Sequence, residues 1–299
     1  MTTAVDYIRD FINWVNEGVD TITDGEIASL YAEEVRVSFE RQFCSVAKSS
    51  GDAIRMSQLG KPAVLQAMKV LGYEECGKID MTMRHRFHIG DSFEAYLMAL
   101  ARFYFPNAVR GSQDTVEFMG IKGHLDGIID TPAGSVVIEA KSMTERYFMK
   151  FLKNQDDERG YATQAALYSH TTGLPLVWVC LNKATHRIEM VEQQPENGLR
   201  ALLRAERLIP MLKELKHLSD IWECGMSAPP PAMEVYQRRE TGQQLVPEAM
   251  RYSQFIDVFY HTEMMTDGYG KVKTYVVPPT LKTYAEAVDV LHDMGYEIK

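Results

Sequence analysis

Apolar and charged positions recur at helical spacing through the first fifty residues, as in AEEVRVSFERQF (32–43), which predicts two or three helices over 1–50. SQLGKPAVLQAMKVL (57–71) predicts another, with Ser57 as its N-cap and Gly72 just past its end. HIGDSFEAYLMALARFYF (88–105) predicts a helix with Phe93, Leu97, Leu100 and Tyr104 on one face, ended by Pro106. The period then becomes that of strands: TVEFMGIKGHLDGIID (115–130), SVVIEAKSM (135–143), LPLVWVCLN (174–182) and HRIEMVEQ (186–193). Between the second and third lies a helical stretch, roughly 155–171, containing DDERGYATQAALYSH. Strand, helix, strand in that order predicts a crossover connection. Residues 195–218 predict a basic, amphipathic helix.

A break follows at CGMSAPPPAM (224–233), where three consecutive prolines favour an extended segment. Beyond it, polar loops alternate with two short strands and a closing helix, TYAEAVDVLHDMG. No internal repeat interrupts this order. The chain thus divides into a helical N-terminal region (1–50), a core (51–223), a Pro-rich linker (224–233) and a C-terminal accessory segment (234–299). The fold class expected is α/β (α+β), a mixed central sheet flanked by helices.

Composition narrows the functional classes. With 45% hydrophobic and 24% charged residues in 299, there is apolar material for a sizeable core. No apolar run reaches the about 18 residues of a membrane span. The start, MTTAVDYIRDFINWVNEGVD, carries acids throughout and lacks the basic-then-apolar order of a signal peptide. A cytoplasmic protein without membrane association is expected. A net charge of −9 argues against a protein that coats nucleic acid non-specifically, though not against a local basic cleft. Cys44, Cys76, Cys180 and Cys224 are dispersed and form no CxxC pair, so reduced thiols are expected. Phosphate-loop, nucleophile-elbow and HExxH patterns are absent, leaving an NTPase motor, a serine hydrolase or a zinc protease without support.

The chemistry lies in GHLDGIIDTPAGSVVIEAKSM (123–143). With TPAG as the loop of a hairpin, Asp130 faces Ser135, and successive pairs bring Asp126 opposite Glu139. Opposed residues on one sheet face sit about 4.5–5.5 Å apart at Cβ. Lys141, two residues beyond Glu139, shares its face. Two facing carboxylates in an apolar setting repel each other and lose hydration. Either one holds a proton at a raised pKa, or a cation sits between them. Hard carboxylate oxygens suit Mg²⁺ or Mn²⁺. A neighbouring lysine can stabilise phosphate charge, or position and help deprotonate an attacking water. The alternative is a pair of edge-strand acids facing solvent, with Lys141 as an ordinary ion-pair partner.

Asp126 followed by Glu139-Ala140-Lys141 resembles the D…(D/E)xK signature of the PD-(D/E)XK nuclease superfamily. GHLDGIID…VVIEAKS is similar to its RecB-type and λ-exonuclease-type branches, which include phage-type and prokaryotic recombination exonucleases. The resemblance covers about residues 52–215 and implies a restriction-endonuclease-like core that binds one or two divalent ions for DNA cleavage. It implies that Asp126, Glu139 and the Ala140 carbonyl hold the metal and that Lys141 orients or activates the water. YATQAALY is similar to the QxxxY motif, which places Gln164 and Tyr168 beside the active site, near the lysine and the DNA. Tyr161 shares their helix face, with packing under the sheet as its other reading. GDSFEAYL resembles an upstream motif in which a glycine is followed four residues later by His or Glu, making Glu94 a third acidic ligand where RecB-type members commonly have His. IRMSQLGKP resembles an S-x-L-G stretch in which Arg55 and Ser57 would hold a DNA phosphate at a helix N-terminus. Many relatives carry a four-cysteine iron–sulfur cluster after the core. Here Cys224 stands without the cysteines such a cluster needs, and no cluster is expected.

Among the basic residues, Arg146 and Lys150 follow Lys141 closely, and Lys183 ends a neighbouring strand; these are the candidates for a DNA backbone. Arg84, Arg86, Lys153, Arg200, Arg204 and Arg207 read first as solvated helix faces. His124 is expected on the same strand face as Asp126, behind the ligands. The function expected is a Mg²⁺- or Mn²⁺-dependent DNA exonuclease of phage or prokaryotic recombination, repair or replication. Its partners would be linear DNA ends or single strands, with a homo-oligomer or a recombination protein beside it. A structure-specific or single-strand endonuclease is the alternative within the class, and a non-cleaving nucleic-acid-binding subunit the alternative outside it. Exonuclease over endonuclease rests on the resemblance alone.

Overall fold

The structure, a computed structural model, describes residues 2–17, 25–40, 43, 54–73, 81–106, 108–110, 114–155, 159–236, 239–247, 249–250, 253–266 and 272–298. The helices in chain order are α1 (Ala4–Glu17), α2 (Gly25–Phe39), α3 (Ala63–Val70), α4 (Met81–Tyr104) and α5 (Glu145–Asn154). After these come α6 (Tyr161–Thr172), α7 (Pro195–Glu214), α8 (Asp220–Glu223), α9 (Ile256–Phe259) and α10 (Tyr284–Asp293). The strands begin with β1 (Val109–Arg110), β2 (Thr115–Phe118), β3 (Ile121–His124), β4 (Gly127–Thr131) and β5 (Gly134–Met143). They continue with β6 (Leu176–Asn182), β7 (Ile188–Glu192), β8 (Ala232–Tyr236), β9 (Arg239–Leu245), β10 (Tyr260–Thr266) and β11 (Val272–Leu281). No helix among the described residues is long and apolar enough to cross a membrane.

Two compact units divide the chain, and neither is continuous in sequence. The first takes residues 1–57, 78–157 and 161–203. Its described part holds a five-stranded sheet in the order β1-β4-β5-β6-β7, mixed in direction as expected: β5 and β6 run parallel, and the other pairs antiparallel. One sheet face packs on α1 and α4. Ile8, Phe11 and Ile12 of α1 and Phe93, Leu97 and Leu100 of α4 close over Ile129, Val136, Ile138, Val177 and Val179. Thr3 starts α1 by exchanging hydrogen bonds with Asp6: its amide donates to the carboxylate at 2.8 Å and its hydroxyl accepts the Asp6 amide at 3.3 Å.

The β4–β5 hairpin has the register its sequence predicts, with Asp130 opposite Ser135, Thr131 opposite Gly134, and Pro132-Ala133 at the tip. The crossover from β5 to β6 is present, but two helices make it rather than one. Gln155, at φ 48°, ends α5, and α6 starts only at Tyr161. The stretch 115–130, which alternates as one strand, is three pieces. Met119 (φ 50°) and Gly120 (φ 79°) form a tight turn between β2 and β3, which pair apart from the main sheet, and a bend at Asp126 separates β3 from β4. The left-handed turn matches the twist of a two-residue hairpin, with methionine in a position that glycine or asparagine usually takes.

Ser57 does not cap a helix. It sits in a single 3₁₀ turn, Met56–Gln58, and α3 begins after Pro62, whose missing N–H suits a helix start. Gly72 does end α3: at φ 79° its amide bonds the Lys69 carbonyl while that of Tyr73 bonds Met68, a Schellman closure.

The second unit takes residues 58–77, 158–160 and 204–299. In place of the two short strands expected after 234, a four-stranded sheet runs in the order β10-β11-β9-β8 among the described residues. Polar strands such as RETGQQL lack the alternation that would announce them. The closing helix is present, opened by a capping box between Thr283 and Glu286. Trp222 stacks on Phe259 and donates its indole N–H to the Lys282 carbonyl at 3.4 Å.

Candidate active site

The two faces of β5 have different neighbours. Val136 and Ile138 point into the core under α1 and α4. Val137, Glu139 and Lys141 point the other way, toward α5 and α6. There Trp178 of β6, in register with Glu139, meets the Phe151 ring edge-on at 5.1 Å. Glu139 is therefore a carboxylate inside an apolar layer, 1% exposed.

The ladder between β4 and β5 stops at Gly127–Ile138, one pair short of Asp126–Glu139. The Asp126 carboxylate replaces the missing strand pair: its Oδ2 accepts the Ala140 amide at 2.8 Å. Along a strand, successive residues turn their backbone groups to opposite neighbours. Val137 donates its amide to Pro175, on the β6 side, at 2.9 Å. Ala140, an odd number of residues away, therefore turns both N–H and C=O toward the β4 edge, where its carbonyl opens beside Asp126.

Glu139 is held from two sides. Its Oε1 accepts from the Lys141 ammonium and, at 2.7 Å, from the Gln164 amide. Gln164 also reaches the Tyr168 hydroxyl at 3.2 Å, and that hydroxyl donates to the His124 carbonyl at 2.8 Å. Both residues are buried, so they bear on Glu139 and on the end of β3 and offer no surface to DNA. Tyr161 lies under the Lys141 ammonium, 5.2 Å from ring centre to nitrogen, and meets the Tyr147 and Phe151 rings edge-on. The second carboxylate oxygen of Glu139, Oε2, is buried with no hydrogen-bond partner among the described residues.

That orphaned oxygen has a physical consequence. Burial, reinforced by the negative charge of Asp126, pushes the Glu139 carboxyl up to about 8 despite the pull of Lys141 and Gln164. Burial raises Asp126 as well, against the opposing pull of Lys141 and the Ala140 amide. Burial alone would depress Lys141, but Glu139 and Asp126 hold it above the ordinary lysine range. Two acids and one cation leave a net negative charge, which a proton or a divalent cation can balance. Asp126, Glu139 Oε2 and the Ala140 carbonyl are the oxygens such a cation would meet, and they form a hard-donor set.

The remaining sequence candidates are more scattered. Glu94 lies half-buried on α4, and among the described residues no three His, Cys, Asp or Glu side chains converge in a cation-holding arrangement. Asp91, one turn before Glu94 on α4, adds a smaller push to the Asp126 carboxyl, after burial. A helix i, i+3 pair of acids after Gly90 was the signal for it. His124 does not share a face with Asp126: it is exposed on β3, its Nδ1 is 3.2 Å from the Thr115 hydroxyl, and the bend at Asp126 breaks the two-residue parity. Arg55 is exposed and bridges backbone to backbone with Lys122. Arg146 and Lys150 sit one turn apart on α5, directly after β5. The Lys183 amide bonds the Met143 carbonyl at 2.8 Å, which places it where β5 and β6 end together. Cys180, opposite Lys141, is buried with its thiol pushed up by burial, which makes it inert; Cys224 is also an unpaired thiol, and Cys44 and Cys76 lie outside the described residues.

Gly123 is a close approach in this layer. A Cβ there would stand 2.5 Å from Tyr168 Cε1 and 2.9 Å from Met56 Sδ. Gly123→Ala is expected to destabilise the protein by about 1–3 kcal/mol, because the Tyr168 ring is rigid and tethered at its hydroxyl. Urea unfolding of the two proteins measures this; equal midpoints would mean that the ring moves freely.

No family model matches the chain, and no curated protein does. A solved structure described as the crystal structure of SSO0001 covers 62% of this chain and 87% of that one at 16% identity and a TM-score of 0.40, a likeness too low to carry an argument.

Proposed function

We propose that this chain is a Mg²⁺- or Mn²⁺-dependent deoxyribonuclease of the PD-(D/E)XK type that degrades DNA from its ends. The observation that supports this best is the buried Glu139 Oε2, without a hydrogen-bond partner among the described residues, beside Asp126 and Lys141. A purely structural ion pair would be expected to satisfy both carboxylate oxygens, since an unmet buried acceptor costs about 1–3 kcal/mol. A bound divalent cation would neutralise phosphate charge and acidify a water there.

The chain's own residues prepare that chemistry. Gln164 and Lys141 both hold Oε1, which fixes the Glu139 plane and leaves Oε2 as the open donor. The Ala140 amide fixes Asp126 in the same way at Oδ2. Lys141, kept charged by the two acids and cushioned on Tyr161, offers an ammonium to the scissile phosphate or to the water attacking it. Arg146 and Lys150 on α5 and Lys183 at the end of β6 would follow the DNA backbone, with Arg55 and Ser57 as further phosphate contacts. Tyr168 ties α6 to the carbonyl of His124, two residues before Asp126, and so sets the distance between the acids and their support.

The test is cleavage of end-labelled linear and covalently closed circular DNA in Mn²⁺. Loss of linear substrate with intact circles is expected. Nicked circles would assign an endonuclease instead, and binding without cleavage would assign a nucleic-acid-binding subunit.

A further inference from the structure

A side chain of the N-terminal region, on which sequence resemblance is silent, bonds an acid of α4. Ser38, 3% exposed on α2, donates its hydroxyl to Asp91 Oδ2 at 2.9 Å and lies 3.1 Å from His88 Nδ1. A serine hydroxyl has one hydrogen, and an ionised carboxylate can only accept. With that hydrogen on Asp91, His88 must supply its own Nδ1–H to Ser38. The result is a directed chain, His88 to Ser38 to Asp91. The His88 ring is set edge-on against Phe39 at 5.8 Å and Phe43 at 5.7 Å. Ser38 is buried and His88 and Asp91 are half-buried, so the chain carries a desolvation cost that an apolar helix junction would avoid. It needs a reason other than packing.

Two close approaches on α4 bracket Asp91 along the helix. A Cβ on Gly90 would stand 3.7 Å from the Ser142 hydroxyl, next to Lys141, and Met98 Cε lies 2.3 Å from where a Cβ on Gly127 would be, next to Asp126. Asp91 and Met98 are seven residues apart, two turns along one helix face, and Glu94 falls between them on that face. The stretch of α4 between Gly90 and Met98, which carries Asp91 and Glu94, therefore runs past the start of β4, next to Asp126.

We propose that Asp91, aimed by Ser38 and His88, is the α4 carboxylate that strengthens divalent-cation binding at Asp126 and Glu139, which makes α2 part of the catalytic apparatus. Asp91 acts from beyond the direct donors, by charge and through waters that Mg²⁺ and Mn²⁺ retain. Ser38 and His88 are positioning residues. The inference rests on the nuclease assignment above, and its test separates the two.

Mn²⁺ affinity of the full chain without DNA is measured by calorimetry for wild type, Glu139→Gln, Asp91→Asn, Ser38→Ala and Ser38→Thr, with the thermal midpoint of each metal-free protein alongside. Asp91→Asn keeps an acceptor for Ser38 and is expected to weaken Mn²⁺ about tenfold or more with little change in midpoint. Ser38→Ala is expected to weaken it about fivefold, the worth of one hydrogen bond, and Ser38→Thr to restore it. If Glu139→Gln loses Mn²⁺ while Asp91→Asn and Ser38→Ala bind like wild type, the role of Asp91 is refuted and the nuclease site stands. If wild type itself takes up no Mn²⁺, both readings fall. Should Asp91→Asn not fold, the Ser38→Ala and Ser38→Thr pair decides alone, because only positioning predicts the rescue.

Discussion

Lys141→Ala is expected to lower Mn²⁺-dependent DNA degradation by about 100- to 1,000-fold, the usual cost of removing one preorganised charge from a transition state. Among the described residues, its ammonium is the one that ion-pairs with Glu139. Its side chain is 17% exposed, set between Glu139 and the Tyr161 ring, with Cys180 opposite on β6. Removing one partner of a buried ion pair usually costs about 3–5 kcal/mol. Here the loss is cushioned, because Glu139 already sits near 8 and can take a proton when its counter-charge leaves. The variant should therefore fold, and Lys141→Met, which keeps the stem packed on Tyr161, serves as a second version with the same expected loss. Single-turnover cleavage of end-labelled linear DNA reads the effect. Equal rates for wild type and both variants would exclude Lys141 from the chemistry.

What makes Lys141 accessible to prediction is the hairpin. The TPAG tip sets the register, and pairing inward from Asp130–Ser135 runs to Gly127–Ile138, one position short of Asp126 and Glu139, where the Asp126 side chain takes over. Period-two alternation then puts Lys141 beside Glu139. The α4 stripe of Phe93, Leu97 and Leu100 and the parallel step from β5 to β6 were legible for the same reason: each follows from local spacing. The break between β3 and β4 was not. GIKGHLDGII alternates well enough to read as one strand, and what divides it is a bend that lets the Asp126 side chain take the place of a ladder pair. ERYFMKFLKN, now α5, is short and carries four charges against its buried Tyr147, Phe148 and Phe151, so its stripe is hard to see. Ser38 and Asp91 are fifty-three positions apart and meet only because α2 packs on α4. No spacing rule reaches that far.

Cation affinity should climb with pH up to about 8 and level off above it. Glu139, pushed up to about 8 by burial and by Asp126, keeps a proton at pH 6, and an incoming cation must displace it. Each pH unit below 8 then costs the apparent Mn²⁺ affinity up to about tenfold, so pH 6 and pH 8 should differ by up to about a hundredfold. Stability of the metal-free protein runs the other way. The folded-state value lies above the ordinary carboxylate range, so between the two the native state binds the extra proton. Its stability is full at low pH and falls by up to about 1.4 kcal/mol per unit as pH rises through that window to about 8. Mn²⁺ binds the deprotonated native state and offsets the loss, so the gap in thermal midpoint between loaded and metal-free protein should widen from pH 6 to 8. Glu139→Gln, with nothing to titrate at that position, should flatten both trends. Calorimetry in buffers of different ionisation enthalpy counts the released proton directly. Affinity that stays level from pH 6 to 8 with no proton released would mean that Glu139 is already ionised in the free protein. Lys141 would then balance it more completely than its burial and the facing Asp126 imply.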